Sequence, residues 1–94
     1  LTTTAGTLIA ASERLAEAGA NKVYAAVSHC LLNEEGCSKL ANSRIEELVT
    51  TDTVPCAAVA RSDRVTVLSV APLLAEAILR IHEERSVSSL FRLD

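Results

Sequence analysis

The residues best suited to chemistry come first in the chain, where Thr3-Thr4-Ala5-Gly6-Thr7 leads directly into an amphipathic segment. A helix that begins here leaves its first backbone N–H groups without internal partners, and their partial positive charge attracts phosphate oxygens. Gly6 lets a ligand approach the backbone, and the hydroxyls of Thr4 and Thr7 add hydrogen-bond donors. Threonines at a helix start also serve as ordinary caps, and the T-x-G-T pattern by itself leaves both readings open.

The other chemically capable residues are scattered. His29 follows an apolar run, at the strand end where ligands of open α/β sheets bind, but it has no second metal ligand near it in sequence. Capping the strand end is the plainer role for it. His82 stands beside Glu83 and Glu84 and reads as a solvated surface histidine. Asp52, flanked by threonines, either faces a substrate crevice or shapes a turn. Cys30, Cys37 and Cys56 make an odd count with no C-x-x-C pair, which argues against a disulfide framework and against a zinc site. Buried thiols in a reducing cytosol are the expectation.

The elements that must position these residues alternate. Leu8, Ala11, Leu15 and Ala18 recur at helical spacing, with Glu13, Arg14 and Glu17 off that stripe and Gly19 as the stop. Lys22 to Ser28 reads as a strand apolar on both faces, as buried parallel strands are. Asn33 caps a short helix that runs to about Ala41, with Glu34 and Glu35 at its positive end. Ile45 to Thr51 is a second strand, residues 55 to 63 a loop, and Arg64 to Ser69 a third strand. Pro72 sits in the first turn of a last helix whose apolar face is Leu74, Ala77, Ile78 and Ile81, with Glu76 paired to Arg80. The order implies an α/β fold built on a parallel sheet with right-handed crossovers, one domain over residues 1–94. A phosphate loop normally joins a strand to a helix. The strand expected before Leu1 is missing, and with no methionine in the chain Leu1 reads as the edge of a longer α/β domain.

Composition narrows the function. Of the 94 residues 49% are apolar but only 2% aromatic, so Ala, Val, Leu and Ile supply the core. A net charge of −3 offers no general attraction to nucleic acid or anionic membranes, and no basic run appears. No apolar stretch approaches the roughly 20 residues of a transmembrane helix, and residues 1–4 do not have the form of a signal peptide.

Four blocks in order carry a family resemblance: Thr4-Ala5-Gly6-Thr7; Ala16 to Val27 with Ser28-His29; Val49 to Pro55; and Leu68 to Ile78, closed by Ser86-Val87-Ser88-Ser89-Leu90-Phe91. Together they resemble the C-terminal part of ribose-phosphate pyrophosphokinases, over nearly the whole chain. The resemblance implies a three-layer parallel sheet of the type I phosphoribosyltransferase kind, incomplete here because its first strand is missing. It also implies transfer of a diphosphoryl group from ATP to the 1-hydroxyl of ribose 5-phosphate, with Mg²⁺ bound mainly by residues outside this chain. On this reading Thr3, Thr4, Ala5, Gly6 and Thr7 hold the 5-phosphate, which is a positioning role. No catalytic residue lies in the chain, so the segment alone is expected to be inactive.

By the same resemblance, Ser86, Ser88 and Phe91 belong to a regulatory phosphate or nucleotide site between subunits, and the protein is cytoplasmic and assembles from dimers to a hexamer. The chain's negative charge leaves the basic groups for that anion to come mainly from elsewhere in the assembly. Three departures from the family pattern stand out. Thr3 replaces a frequent aspartate, the two acidic residues expected just before Leu1 are absent, and Leu31 to Gly36 replaces a segment usually like F-S-G-P-A. A non-catalytic regulatory homologue and a phosphoribosyltransferase are the alternatives. The blocks Ala71 to Ala77 and Ser86 to Phe91 disfavour the second of these.

Overall fold

A computed structural model describes residues 5–91. The order is α1 (Gly6–Glu17), β1 (Val23–Ala26), α2 (Glu34–Ala41), β2 (Ile45–Thr51), α3 (Ala57–Ala60), β3 (Val65–Leu68) and α4 (Ala71–His82), followed by a 3₁₀ turn, Ser88–Phe91. The strands form one parallel sheet in the order β1-β2-β3. This is the α/β architecture expected from the alternation of elements.

The start and stop signals act as the sequence implies. Asn33 Oδ1 accepts a hydrogen bond from the Gly36 amide at 2.7 Å, satisfying one orphan donor at the head of α2. Gly19, at φ 106°, ends α1 in the left-handed conformation, with the Gly19 amide on Ala16 O and the Ala20 amide on Leu15 O. Pro72 sits in the first turn of α4. Glu76 pairs with Arg80 at 3.0 Å.

The core joins the helices to the sheet. Leu40 of α2, Val59 of α3, Ile45 and Leu48 of β2, Val23 of β1 and the connecting Cys30 and Leu32 are buried, and Leu8 and Ile9 of α1 pack against them. A register shift between Val23 and Tyr24 leaves Glu46 as an extra residue opposite the pair. Such a bulge lets Ile45 and Leu48 both point inward although an odd spacing separates them.

Four expectations need correction. Residues 55 to 63 are not all loop, because Ala57–Ala60 form the single turn of α3. Four residues are too few to show a helical period, and Cys56 makes no side-chain cap that would mark the start. The inward face of α1 is Ala5, Leu8, Ile9, Ser12 and Ala16, whereas Ala11, Leu15 and Ala18 are exposed. Ser12 enters the core because its hydroxyl donates to Ile9 O at 2.7 Å, which removes the cost of burying it. β1 is shorter than residues 22–28 and is covered on one face only, leaving Tyr24 62% exposed. The apolar face of α4 exists as a pattern but is not buried, since no described element packs closely on it; Leu74, Ile78 and Ile81 are all exposed.

Candidate functional site

The described part of the phosphate-loop candidate is Ala5, Gly6 and Thr7; Thr3 and Thr4 lie outside the described residues. Ala5 is the N-cap of α1 and adopts the left-handed conformation, φ 63° and ψ 11°, with its side chain buried. Such a φ is uncommon for a residue with a Cβ and costs on the order of 1 kcal/mol or more, so the surroundings must hold it. Among the described residues no side chain caps this end of α1, and no acidic residue occupies its first turn. A left-handed residue followed by a helical one turns successive N–H groups toward a common point, the concavity that binds anions. Gly6 and Thr7 are exposed there.

The second group lies at the carboxyl ends of β1 and β2. Thr51 Oγ1 lies 2.6 Å from Ser28 O, joining the ends of the two strands. Thr53 Oγ1 lies 2.7 Å from His29 Nδ1 and 3.1 Å from Thr51 Oγ1. His29 thus closes a hydroxyl cluster at a strand end, the plainer of its two roles, and the cluster is exposed. Asp52 turns away from it. Its Oδ1 accepts the Val70 amide at 2.9 Å, and this bond, with a further one from Ser69, holds the carboxyl below the usual carboxylate range. Asp52 therefore shapes the junction to α4, as a turn-forming aspartate does.

A cavity of about 400 Å³ opens beside this region, lined by Cys30, Thr50, Asp52, Pro55, Cys56 and Val59 among others. The thiols in and near it are suited to packing. Burial pushes the Cys30 thiol above its usual range, partly offset by a hydrogen bond with the Leu32 backbone. Burial likewise raises the Cys37 thiol, with the neighbouring Cys56 adding to it. Cys56 Sγ donates to Leu32 O at 3.0 Å. No disulfide forms among the described residues, and no cluster of three His, Cys, Asp or Glu side chains among them is arranged to hold a metal ion.

The third group is the tail. The hydroxyls of Ser86 and Ser88 are 2.7 Å apart, and Phe91 ends the 3₁₀ turn. These residues are close in sequence to one another but belong to the far end of α4, not to the strand-end cluster. Sequence reasoning missed Arg80 as a partner of the tail. Its guanidinium reaches Ser86 O at 3.3 Å and Ser89 Oγ. The only signal was the pairing of Glu76 with Arg80, which accounts for one side of the guanidinium and says nothing of the other.

Against known proteins, residues 1–92 match the phosphoribosyl synthetase-associated domain. The chain is 50% identical over 88 residues to a ribose-phosphate pyrophosphokinase of Caldanaerobacter subterraneus subsp. tengcongensis, covering 94% of this chain and 28% of that one. It is 49% identical, with the same coverage, to the ribose-phosphate pyrophosphokinase of Listeria ivanovii. Among solved structures it is similar to phosphoribosylpyrophosphate synthetase from Mycobacterium smegmatis. The TM-score is 0.80 and the identity 36%, over 87% of this chain and 28% of that one. The chain thus spans a little over a quarter of the length of these relatives.

Proposed function

Since the chain belongs to the phosphoribosyl synthetase-associated domain family, we propose that it is the C-terminal part of a ribose-phosphate pyrophosphokinase and supplies the loop that holds the phosphate of ribose 5-phosphate. The observation that carries this reading is the conformation of Ala5. A buried, left-handed alanine that brings no side-chain cap of its own is costly as a mere cap, and a left-handed residue before a helical one is the backbone form that gathers N–H groups for an anion. Gly6 leaves room for the phosphate oxygens, and Thr7 offers a hydroxyl beside them.

In the complete enzyme this loop would do electrostatic and positional work. Holding the 5-phosphate fixes the sugar so that its 1-hydroxyl meets ATP in one geometry, and much of the barrier to phosphoryl transfer is lowered that way. The nucleotide site and the residues that hold Mg²⁺ belong to the rest of the enzyme on this reading. Mg²⁺ would supply charge neutralisation on the phosphates. A cytoplasmic, oligomeric enzyme remains part of the proposal, supported by the resemblance. Among the described residues no helix is long and apolar enough to cross a membrane. Relatives that carry the pyrophosphokinase name favour the enzyme over a non-catalytic homologue.

Two measurements test it. Gly6→Val in the complete enzyme puts a branched side chain where the phosphate approaches, and calorimetric titration with ribose 5-phosphate should show no binding. Unchanged affinity in a folded variant would reduce the loop to a helix cap. The isolated chain, mixed with ATP and ribose 5-phosphate, should release no AMP in a coupled assay.

A further inference from the structure

We propose that the cavity between α3 and the carboxyl ends of β2 and β3 binds a small, uncharged, mostly apolar molecule with one hydrogen-bonding group, anchored by the Thr50 hydroxyl. This site is separate from the phosphate loop at the head of α1 and does not rest on that reading.

The cavity exists because the cover over this part of the sheet is short. Between β2 and β3 the chain forms a single helical turn, Ala57–Ala60, which sinks Val59 into the core and leaves space beside it. Side chains alternate between the two faces of a strand, and residues paired in register share a face. Thr50 pairs with Val67, and both line the cavity. The Thr50 side chain therefore belongs to the floor, across from Val59 and Ala60 of α3.

Thr50 is the residue in this floor that packing alone does not explain. It is 2% exposed, and its Oγ1 has no hydrogen-bond partner among the described residues. A hydroxyl so enclosed is destabilising unless an occupant of the cavity bonds it. The polar neighbours are already engaged: Cys56 Sγ donates to Leu32 O, and Asp52 Oδ1 accepts the Val70 amide. A water beside Thr50 would find few of the roughly three partners that buried waters have. Val54, Pro55, Val59 and Val67 make the remaining wall apolar. Among the described residues lining the cavity Asp52 alone is charged, and its carboxylate repels anions. The apolar wall in turn disfavours a cation. The volume of about 400 Å³ is ample for one ring, since an apolar cavity of roughly 150 Å³ already admits benzene.

The test uses the complete protein and two probes of nearly the same shape, phenol and toluene, titrated by NMR. Both should bind the parent saturably. Thr50→Val keeps the shape of the floor and removes the hydroxyl, so phenol should bind about tenfold more weakly, the loss of one hydrogen bond, while toluene binds at least as well as before. The same variant should unfold no earlier than the parent, which separates a lost anchor from a lost fold. Ala60→Leu adds bulk at an exposed position of α3 that lines the cavity, and should weaken both probes. Absence of saturable binding to the parent overturns the site, for the cavity is then filled by another part of the protein. Unchanged phenol affinity in Thr50→Val, or an equal loss of both probes there, overturns the role of the hydroxyl. Binding of both probes that survives Ala60→Leu unchanged places them elsewhere and overturns the proposal as well.

Discussion

The amide of Val70 donates to Asp52 Oδ1 across 2.9 Å, tying the turn after β2 to the head of α4 over 18 residues of sequence. Ser69 Oγ accepts the Ala71 amide at 3.2 Å, so two side chains share the orphan donors of that helix start. Val70 itself has no side chain able to cap.

This contact sets a pH dependence. The hydrogen bonds from Val70 and Ser69 depress the folded carboxyl of Asp52, so its contribution is fully present above the ordinary aspartate pKa of about 4. It is lost as pH falls through the lower folded value, because the protonated group is the weaker acceptor. Unfolding curves from roughly pH 6 to pH 2 should therefore fall less steeply for Asp52→Asn than for the parent. Parallel curves would show that the bond carries no charge-dependent stability.

Asn33→Ala should cost about 1 kcal/mol, the usual worth of a side-chain cap, while Asn33→Asp should retain it. The readout is amide exchange at Gly36, whose N–H loses its 2.7 Å partner. Equal protection in the alanine variant would mean that water replaces the cap.

Glu84→Gly should stabilise the chain end by about 1 kcal/mol, because glycine adopts the left-handed conformation without steric penalty. Slower exchange of the Arg85 amide, which closes the turn on Arg80 O at 2.7 Å, checks this. A destabilised variant would show that Glu84 contributes through its side chain.

Thr50 is 2% exposed, and its Oγ1 has no hydrogen-bond partner among the described residues. A buried, unmatched hydroxyl carries its desolvation cost uncompensated. Thr50→Val keeps the shape and should raise the unfolding free energy by about 1 kcal/mol in urea titration. A loss of stability would point to a partner that the hydroxyl finds in the complete enzyme.

Much of the local structure was legible because it is decided within a few residues. Asn33 three positions before Gly36, Gly19 after the α1 pattern, Pro72 in a first turn and Glu76 four before Arg80 each act through the adjacent backbone or the next helical turn. The alternation of strand and helix likewise yields a parallel α/β sheet, since parallel strands need crossovers and crossovers are right-handed. The candidate loop was visible as a string of residue types, although its conformation was not. The left-handed Ala5 has no sequence signal, for alanine has no intrinsic preference for that region.

Only the tertiary structure decided which face of each element is covered. Helical spacing marks a stripe, but the inward side of α1 passes through Ser12 because a bond to Ile9 O satisfies the hydroxyl. Leu15 is left in solvent, and the apolar face of α4 is exposed because no described element packs closely on it. The joining of His29 to Thr53, of Asp52 to Val70 and of Arg80 to the tail is equally unreadable from spacing. Each depends on where the ends of separate elements arrive. That is set by the packing of Leu40, Ile45, Leu48 and Val59 into one core, a property of the whole chain and of no segment of it.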